Sequence, residues 1–399
     1  MKIANAEQDS NQKATRSLVW RLGLVSFFTD VSSDAIIPTL VFFFTGTLGG
    51  TAWQFGLTEG IAEATSALFK APSGILSDLF ARRKPIVILG YSLSTLGKFA
   101  LPLSHIWPSV LGARFLDRIG KGIRTSPRDG ILADGVPAHR RGWAFGIHRA
   151  MDSSGAVLGP LLAWWFLSIH HNDFRTLYWL AIIPAIISVI LLTGIREPVR
   201  TATKRQTGAV KAALPPSFMR YLFVMTLFSL GNSSDLFLLL RLNQLGWNPA
   251  SVLLAYAGFN AVAAIGSVPL GHLSDKIGRK TVLSFGFFVF ALVYFGFALA
   301  TPEMKWLPIV LLIGYGLYYA FTDGVGRAYA ADLAGDSWRG SGLGVYHTCI
   351  GLAILPASLM AGYLIDKNQL SAPFFIGSFA AIIAILGLWL VVPKKVSYQ

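Results

Sequence analysis

Twelve stretches of this chain read as membrane crossings, and nothing else about it narrows the possible folds so far. A helix needs roughly 20 largely apolar residues to cover about 30 Å of hydrocarbon. Such stretches fall at about 18–45, 53–77, 85–105, 108–132, 143–168 and 176–195. A second set of six follows at about 218–241, 249–273, 281–300, 306–331, 340–364 and 372–392. Composition agrees: 53% of residues are apolar and 14% are charged, where a soluble domain carries about 25% charged residues. The lone cysteine, Cys349, can form neither an intrachain disulfide nor a cysteine-built metal cluster. A soluble enzyme and a secreted disulfide scaffold are excluded, and the expected fold is an all-α polytopic membrane protein.

The few charges are lopsided, 34 Lys and Arg against 20 Asp and Glu, a formal +14. In a soluble protein that excess would point to nucleic acid. Here it falls mostly in loops on one side: Lys2, Lys13, Arg16, Arg82 to Lys84, Arg140, Arg141, Lys276, Arg279, Lys280, Arg339, Lys394, Lys395 and the connector Arg196 to Arg220. The other side has little beyond Arg175, Lys305 and Lys367. The positive-inside rule makes the first side cytoplasmic, so both termini and the connector are expected in the cytoplasm of a cell-membrane protein. Met1 to Ala14 is polar and lacks the apolar core of a cleaved signal peptide, so the first span is expected to act as its own insertion signal.

The chain also repeats itself. Gly74-Ile-Leu-Ser-Asp78-Leu-Phe-Ala-Arg82-Arg83, after the second span, returns 197 residues later as Gly271-His-Leu-Ser-Asp275-Lys-Ile-Gly-Arg279-Lys280. Ala133-Asp134, Arg141-Gly142 and Gly146 return 198 residues later as Ala331-Asp332, Arg339-Gly340 and Gly344. Ser32-Ser33-Asp34 in the first span has its counterpart in Ser233-Ser234-Asp235 of the seventh. Matches in one order at nearly one spacing imply an internal duplication. The basic, polar connector is its natural boundary, giving an N-terminal bundle at 1–196, a linker at 197–216 and a C-terminal bundle at 217–399.

These motifs resemble the major facilitator superfamily, and the resemblance covers essentially the whole chain. The loop Gly-x-x-x-Asp-(Lys/Arg)-x-Gly-Arg-(Lys/Arg) after helices 2 and 8 is that family's most specific signature. The second copy matches fully, while the first has Leu79 and Ala81 at the basic and glycine positions. The resemblance implies two pseudo-symmetric six-helix bundles around one cavity, opened alternately to the two faces. Gly74, Asp78, Arg82, Gly271, Asp275 and Arg279 are the expected cytoplasmic gate. An Asp at the membrane edge can pair with Arg or cap a helix, although a charged turn obeying the positive-inside rule has the same composition.

A charge at mid-span costs roughly 2.5–3.5 kcal/mol on insertion scales, which makes every buried charge a functional candidate. Asp30 and Asp34 lie four apart on one face of the first helix; Glu59, Glu63 and Lys70 lie on the second, and Lys98 on the third. The fourth carries Arg114, Asp117, Arg118, Lys121, Arg124 and Arg128 on a single stripe. A basic stripe cannot face lipid, so it faces the cavity or the carboxylates of helices 1 and 2. Arg118-Ile-Gly-Lys121-Gly122 resembles in part the Arg-x-x-x-Gly motif of the family's proton-coupled members. Gly146, Gly155, Gly159 and Pro160 resemble the helix 5 motif of the drug:proton antiporter type, though helix packing alone accounts for glycines there. A gate network of Arg149 and Asp152 with the Arg124 to Asp129 segment is a further expectation, as is a break of the helix at Pro127.

Asp30, Asp34, Glu63, Arg114, Arg118, Lys121 and Asp235 are therefore the expected coupling and substrate residues, with Asp34 first. No phosphate-binding loop of the ATP-driven type is present in the sequence. His170-His171 point to different helix faces, so no metal or other cofactor is expected. The reading is a proton-coupled exporter of a small organic molecule, monomeric, with protons and the bilayer as its other partners and no nucleic acid. An organic-anion uniporter or exchanger, an uptake symporter, and a non-transporting receptor on the same fold remain open.

Overall fold

The computed structural model describes residues 2–79, 82–137, 141–195, 197, 214–335 and 339–392, without the side chains of 2–14, 71, 78, 79, 141, 142 and 339–341. Among the described residues the chain forms thirteen α-helices. They are α1 (Lys2–Phe42, continued by a π-helical turn Phe43–Thr47), α2 (Ala52–Leu79), α3 (Lys84–Ala100), α4 (Trp107–Asp134), α5 (Arg141–Ile169) and α6 (Phe174–Thr193). The second set is α7 (Pro216–Gly231), α8 (Leu236–Gln244), α9 (Pro249–Ile277), α10 (Arg279–Leu299), α11 (Leu307–Ala334), α12 (Arg339–Asp366) and α13 (Ala372–Leu390). The chain is a polytopic helical membrane protein.

Eight spans among the described residues are long and apolar enough to cross a membrane on their own. The helices that fall short are α2 to α5. Glu59, Glu63 and Lys70 dilute α2, the charged stripe dilutes α4, Asp152 and its serines dilute α5, and α3 has only 17 residues. These helices are stable in a bilayer because neighbours, not lipid, meet their polar faces. Ile190, Phe223, Phe288, Phe379 and Leu386 stand more than half exposed on the outside of the bundle, where hydrocarbon is the favourable contact.

In the first half, α1 packs on α5 and α6, α4 on α2 and α3, and α3 on α6. In the second, α11 packs on α9 and α10, and α13 on α7 and α10. The two sets meet along α2 with α12 and along α5 with α9. The first seam is tight at the end away from the termini. A methyl on Gly56 would lie 2.3 Å from the Ser358 carbonyl oxygen, and one on Gly362 would lie 2.3 Å from that of Ala52. Asp366 seals this end: its Oδ1 and Oδ2 accept the N–H groups of Ala52 and Trp53, both at 2.9 Å. A carboxylate from α12 thus caps α2, where the exposed amides and helix dipole favour negative charge.

Two sequence expectations change. The seventh span is not one helix: α7 ends at Gly231 and α8 begins at Leu236, with Asn232 to Asp235 unwound between them. Asn, Ser and Asp side chains compete for backbone hydrogen bonds, and here the Ser234 N–H donates to Ser358 Oγ at 3.1 Å. Ser32-Ser33-Asp34, the repeat counterpart, stays helical inside α1. Conversely α4 runs unbroken through Pro127. The linker at 197–216, except for Glu197, Leu214, Pro215 and Pro216, lies outside the described residues.

Candidate functional site

The helix 4 stripe settles against carboxylates. Arg114 makes a two-pronged pair with Glu59 of α2, Nε to Oε1 at 2.7 Å and the second nitrogen to Oε2 at 2.6 Å, and a further contact with Asp117 at 3.2 Å. Arg118 reaches Glu63, one turn along α2, at 3.0 Å. Arg114 is 1% exposed, Arg118 3% and Glu59 2%. Steps of four on α2 meet steps of four on α4, so each guanidinium finds a carboxylate at its own level. Further along α4, Arg124 turns to α3, donating to Ser94 Oγ at 2.5 Å and lying over the Tyr91 ring. Lys98 of α3 donates to Ser32 Oγ at 3.1 Å and the Thr29 carbonyl at 3.3 Å, tying α3 to α1.

A second group lies where α1, α4 and α5 converge. Ser26 donates to Asp152 and accepts from Arg128 at 3.0 Å, while Arg128 also pairs with Asp129 at 2.9 Å. Asp30 of α1 and Asp152 of α5 both reach the cavity between the halves. Asp34, one turn on, is acted on by Lys121, Lys98 and Arg118. Small residues of α5 permit this convergence. Methyls on Gly155 and Gly159 would lie 2.6 Å from the Phe27 carbonyl oxygen and 2.7 Å from that of Val31. These glycines therefore set α5 against α1 within the first half, beside the two aspartates, and not against the other half. Gly146 meets open space.

The second half treats its carboxylate differently. Asp235, at the start of α8, accepts hydrogen bonds from Tyr315 at 2.9 Å and from Tyr319, both on α11. Tyr315 and Tyr319 stack among Phe259, Phe290, Tyr294 and Tyr318. Sequence reasoning singled out Asp235 but missed its phenols, which sit at i and i+4 of a helix that otherwise reads as ordinary core.

Between the halves lies a cavity of about 860 Å³, walled by α5 and α9 and reached by Asp30, Arg149, Asp152, Asp235, Tyr256, Phe259, Asn260, Tyr319 and Asp323. Two contacts cross it: Asn260 donates to the Ala156 carbonyl at 3.0 Å, and Arg149 pairs with Asp323 at 3.1 Å. Arg149 also lies 3.7 Å from Asp152 on its own helix, and Asp323 takes a second pair, at 2.6 Å, from Arg327. Of the expected coupling residues, Asp30 and Asp235 line this cavity, whereas Asp34, Glu63, Arg114, Arg118 and Lys121 are not among its lining residues.

At the termini side the repeated loops make corresponding pairs. Arg279 bonds Asp332 and lies 3.4 Å from Asp275. In the first copy the pair is Arg83 with Asp134 at 2.9 Å, while Arg82 is exposed and the Asp78 side chain lies outside the described residues. The partner is thus one residue later than the motif alignment places it. Gly278 has φ +93°, which a glycine adopts without strain. Gly74 meets Ser126 of α4, whereas Gly271 has open space around it.

A membrane bundle with a carboxylate-bearing cavity between two helix sets, crossed by an ion pair, is the architecture of a solute transporter. The model of the Major Facilitator Superfamily matches residues 22–243 and again 222–399. An uncharacterized MFS-type transporter of Methanocaldococcus jannaschii is 35% identical over 393 residues, covering 96% of this chain and 98% of the relative. The multidrug resistance protein MdtH of Yersinia enterocolitica is 24% identical over 364 residues, 89% of each chain. The crystal structure of a D-xylose–proton symporter superposes with a TM-score of 0.77 at 17% identity, covering 95% of this chain and 98% of that one. The chain belongs to the Major Facilitator Superfamily. It is a multi-pass membrane protein of transport, and not an enzyme.

Proposed function

We propose that the protein exports a small organic solute across the cytoplasmic membrane in exchange for protons, by alternating access. The bundles at 1–196 and 217–399, joined by the linker at 197–216, rock about the cavity, and the excess of Lys and Arg in the loops supports a cytoplasmic termini side. The observation that carries the reading is that Asp30 and Asp152 stand together on the cavity wall. Two carboxylates so close repel unless a positive charge sits between them, and a proton supplies the smallest one. Asp30 therefore takes precedence over Asp34, which is not among the lining residues. Arg149 is placed to exchange Asp323 of the other half for Asp152 of its own as the halves part, while Asp323 keeps Arg327. No charge loses every partner in either arrangement. The loop pairs Arg83–Asp134 and Arg279–Asp332 extend the gate, together with Gly74, Asp78, Arg82, Gly271 and Asp275. Similarity to MdtH supports the outward direction.

The buried pairing of Arg114 and Arg118 weighs against using the helix 4 stripe to bind an anion, because each already has a carboxylate. The test is transport in proteoliposomes with an imposed pH gradient. The gradient drives solute movement in the unaltered protein, and Asp30→Asn retains solute counterflow but loses the response to the gradient. A full gradient response in Asp30→Asn refutes the assignment.

A further inference from the structure

The cavity wall is uneven in charge. Asp30 and Asp152 come from the first half and Asp235 and Asp323 from the second, against Arg149 as the single basic residue among those lining it. Arg149 is already engaged with Asp323. Of the basic residues of α4, Arg114 and Arg118 are paired with Glu59 and Glu63, and Lys121 is not among the lining residues. Beside the carboxylates stand the rings of Tyr256, Phe259 and Tyr319, with Tyr256 and Phe259 5.3 Å apart and Phe259 and Tyr319 also 5.3 Å apart. Leu158, Leu161, Ile265 and Val268 supply the apolar remainder.

We infer that the solute carried in this cavity is an organic cation with an apolar or aromatic body, its charge seated between Asp30 and Asp152 on one wall and Asp235 on the other. The inference rests on the cavity's being the transport site and adds what that site selects. Three physical terms favour such a solute. A cation relieves the carboxylate repulsion as a proton does. Ring faces attract cations, by about 0.5–2 kcal/mol each depending on desolvation. The cavity's size falls within the range of roughly 300–1,000 Å³ that holds a small organic molecule. An anion would meet the carboxylates with no free basic partner. Cation and proton then compete for one seat. Around Asp30 stand Asp152 from α5, Asp34 from its own helix, Lys121 from α4 and Lys98 from α3; because a proton and the cation compete for the same carboxylates, acidification weakens cation binding.

The experiment compares ions of like size and opposite sign. Full-length protein in detergent is melted with tetraphenylphosphonium, with its isosteric anion tetraphenylborate, or with neither. The cation is expected to raise the melting temperature and the anion is not. Asp30→Asn and Asp235→Asn each weaken the cation's apparent affinity about tenfold or more, measured against each variant's own unliganded midpoint. Equal stabilisation by both ions, preference for the anion, response to neither, or unchanged affinity in both variants overturns the inference. Flux in proteoliposomes separates it from the transport reading. Cation binding without flux removes the transport reading and leaves the inference, whereas flux restricted to neutral or anionic solutes does the reverse.

Discussion

The two halves of the molecule repeat one helical plan and bury their acids by opposite means. In the first half, carboxylates and bases are packed at matching heights: Glu59 with Arg114, Glu63 with Arg118, Asp134 with Arg83. In the second, Asp235 is held by two phenols within an aromatic cluster, and among the described residues charge pairs occur at Asp323–Arg327, Arg279–Asp332 and Arg279–Asp275. Ion pairs in a low-dielectric interior repay their desolvation only when geometry is close to ideal, and removing one partner is costly. Phenol donors satisfy a carboxylate without adding charge. A rigid, self-neutralised block therefore faces a softer aromatic wall across the cavity. Asp30, Asp152 and Asp235 are among the residues on its surface.

The sharpest way to break this contrast is to unpair the first half. Arg114→Met leaves Glu59 charged and buried, and is expected to cost about 3–5 kcal/mol. Thermal unfolding in detergent would show it, and adding Glu59→Gln should recover much of the loss. An unchanged midpoint in Arg114→Met would mean that the pair is not what holds α2 to α4.

The aromatic side gives a smaller effect. Tyr315→Phe and Tyr319→Phe each remove a hydrogen bond to a carboxylate, about 1.5–3 kcal/mol apiece. They should disturb solute binding more than Arg114→Met does, because Asp235 lines the cavity and Glu59 does not. Binding isotherms of the phenylalanine variants would contradict that ordering if they matched the unaltered protein.

At the seams between the halves the effects fall further. Asp366→Ala removes the cap on α2 and is expected to cost about 1 kcal/mol, and to raise labelling of cysteines placed at the sealed end. Arg149 has a side chain 60% exposed, so Arg149→Gln should change stability by less than about 1 kcal/mol. Its effect should appear in the rate of alternation, read as counterflow, and not in the melting temperature. A large stability loss in Arg149→Gln would make the crossing pair a strut, not a movable gate.

Much of this was legible in the order of residues. Twelve stretches of suitable length and the returning Gly-x-x-x-Asp motif identified a duplicated membrane fold, since length and apolarity are local properties that the bilayer reads directly. The concentration of charge on α1, α2 and α4 was equally visible, because helical spacing alone puts those residues on common faces. Their partners were not. Whether Arg114 and Arg118 met a cavity or a carboxylate depended on how α4 was rotated against α2, which close packing determines and sequence spacing does not. The shift from Arg82 to Arg83, the unwinding at Asn232 to Asp235, and the capping of α2 by Asp366 from 314 residues away all depend on atoms brought together from distant parts of the chain.

By itself, then, the sequence determined the helices, their duplication and the family, because each follows from a periodic or repeated pattern along the chain. Only the tertiary structure decided which charges neutralise one another and which remain on the cavity wall. The physical reason is that the worth of a buried charge lies in the few ångströms around it, and those neighbours are supplied by other helices.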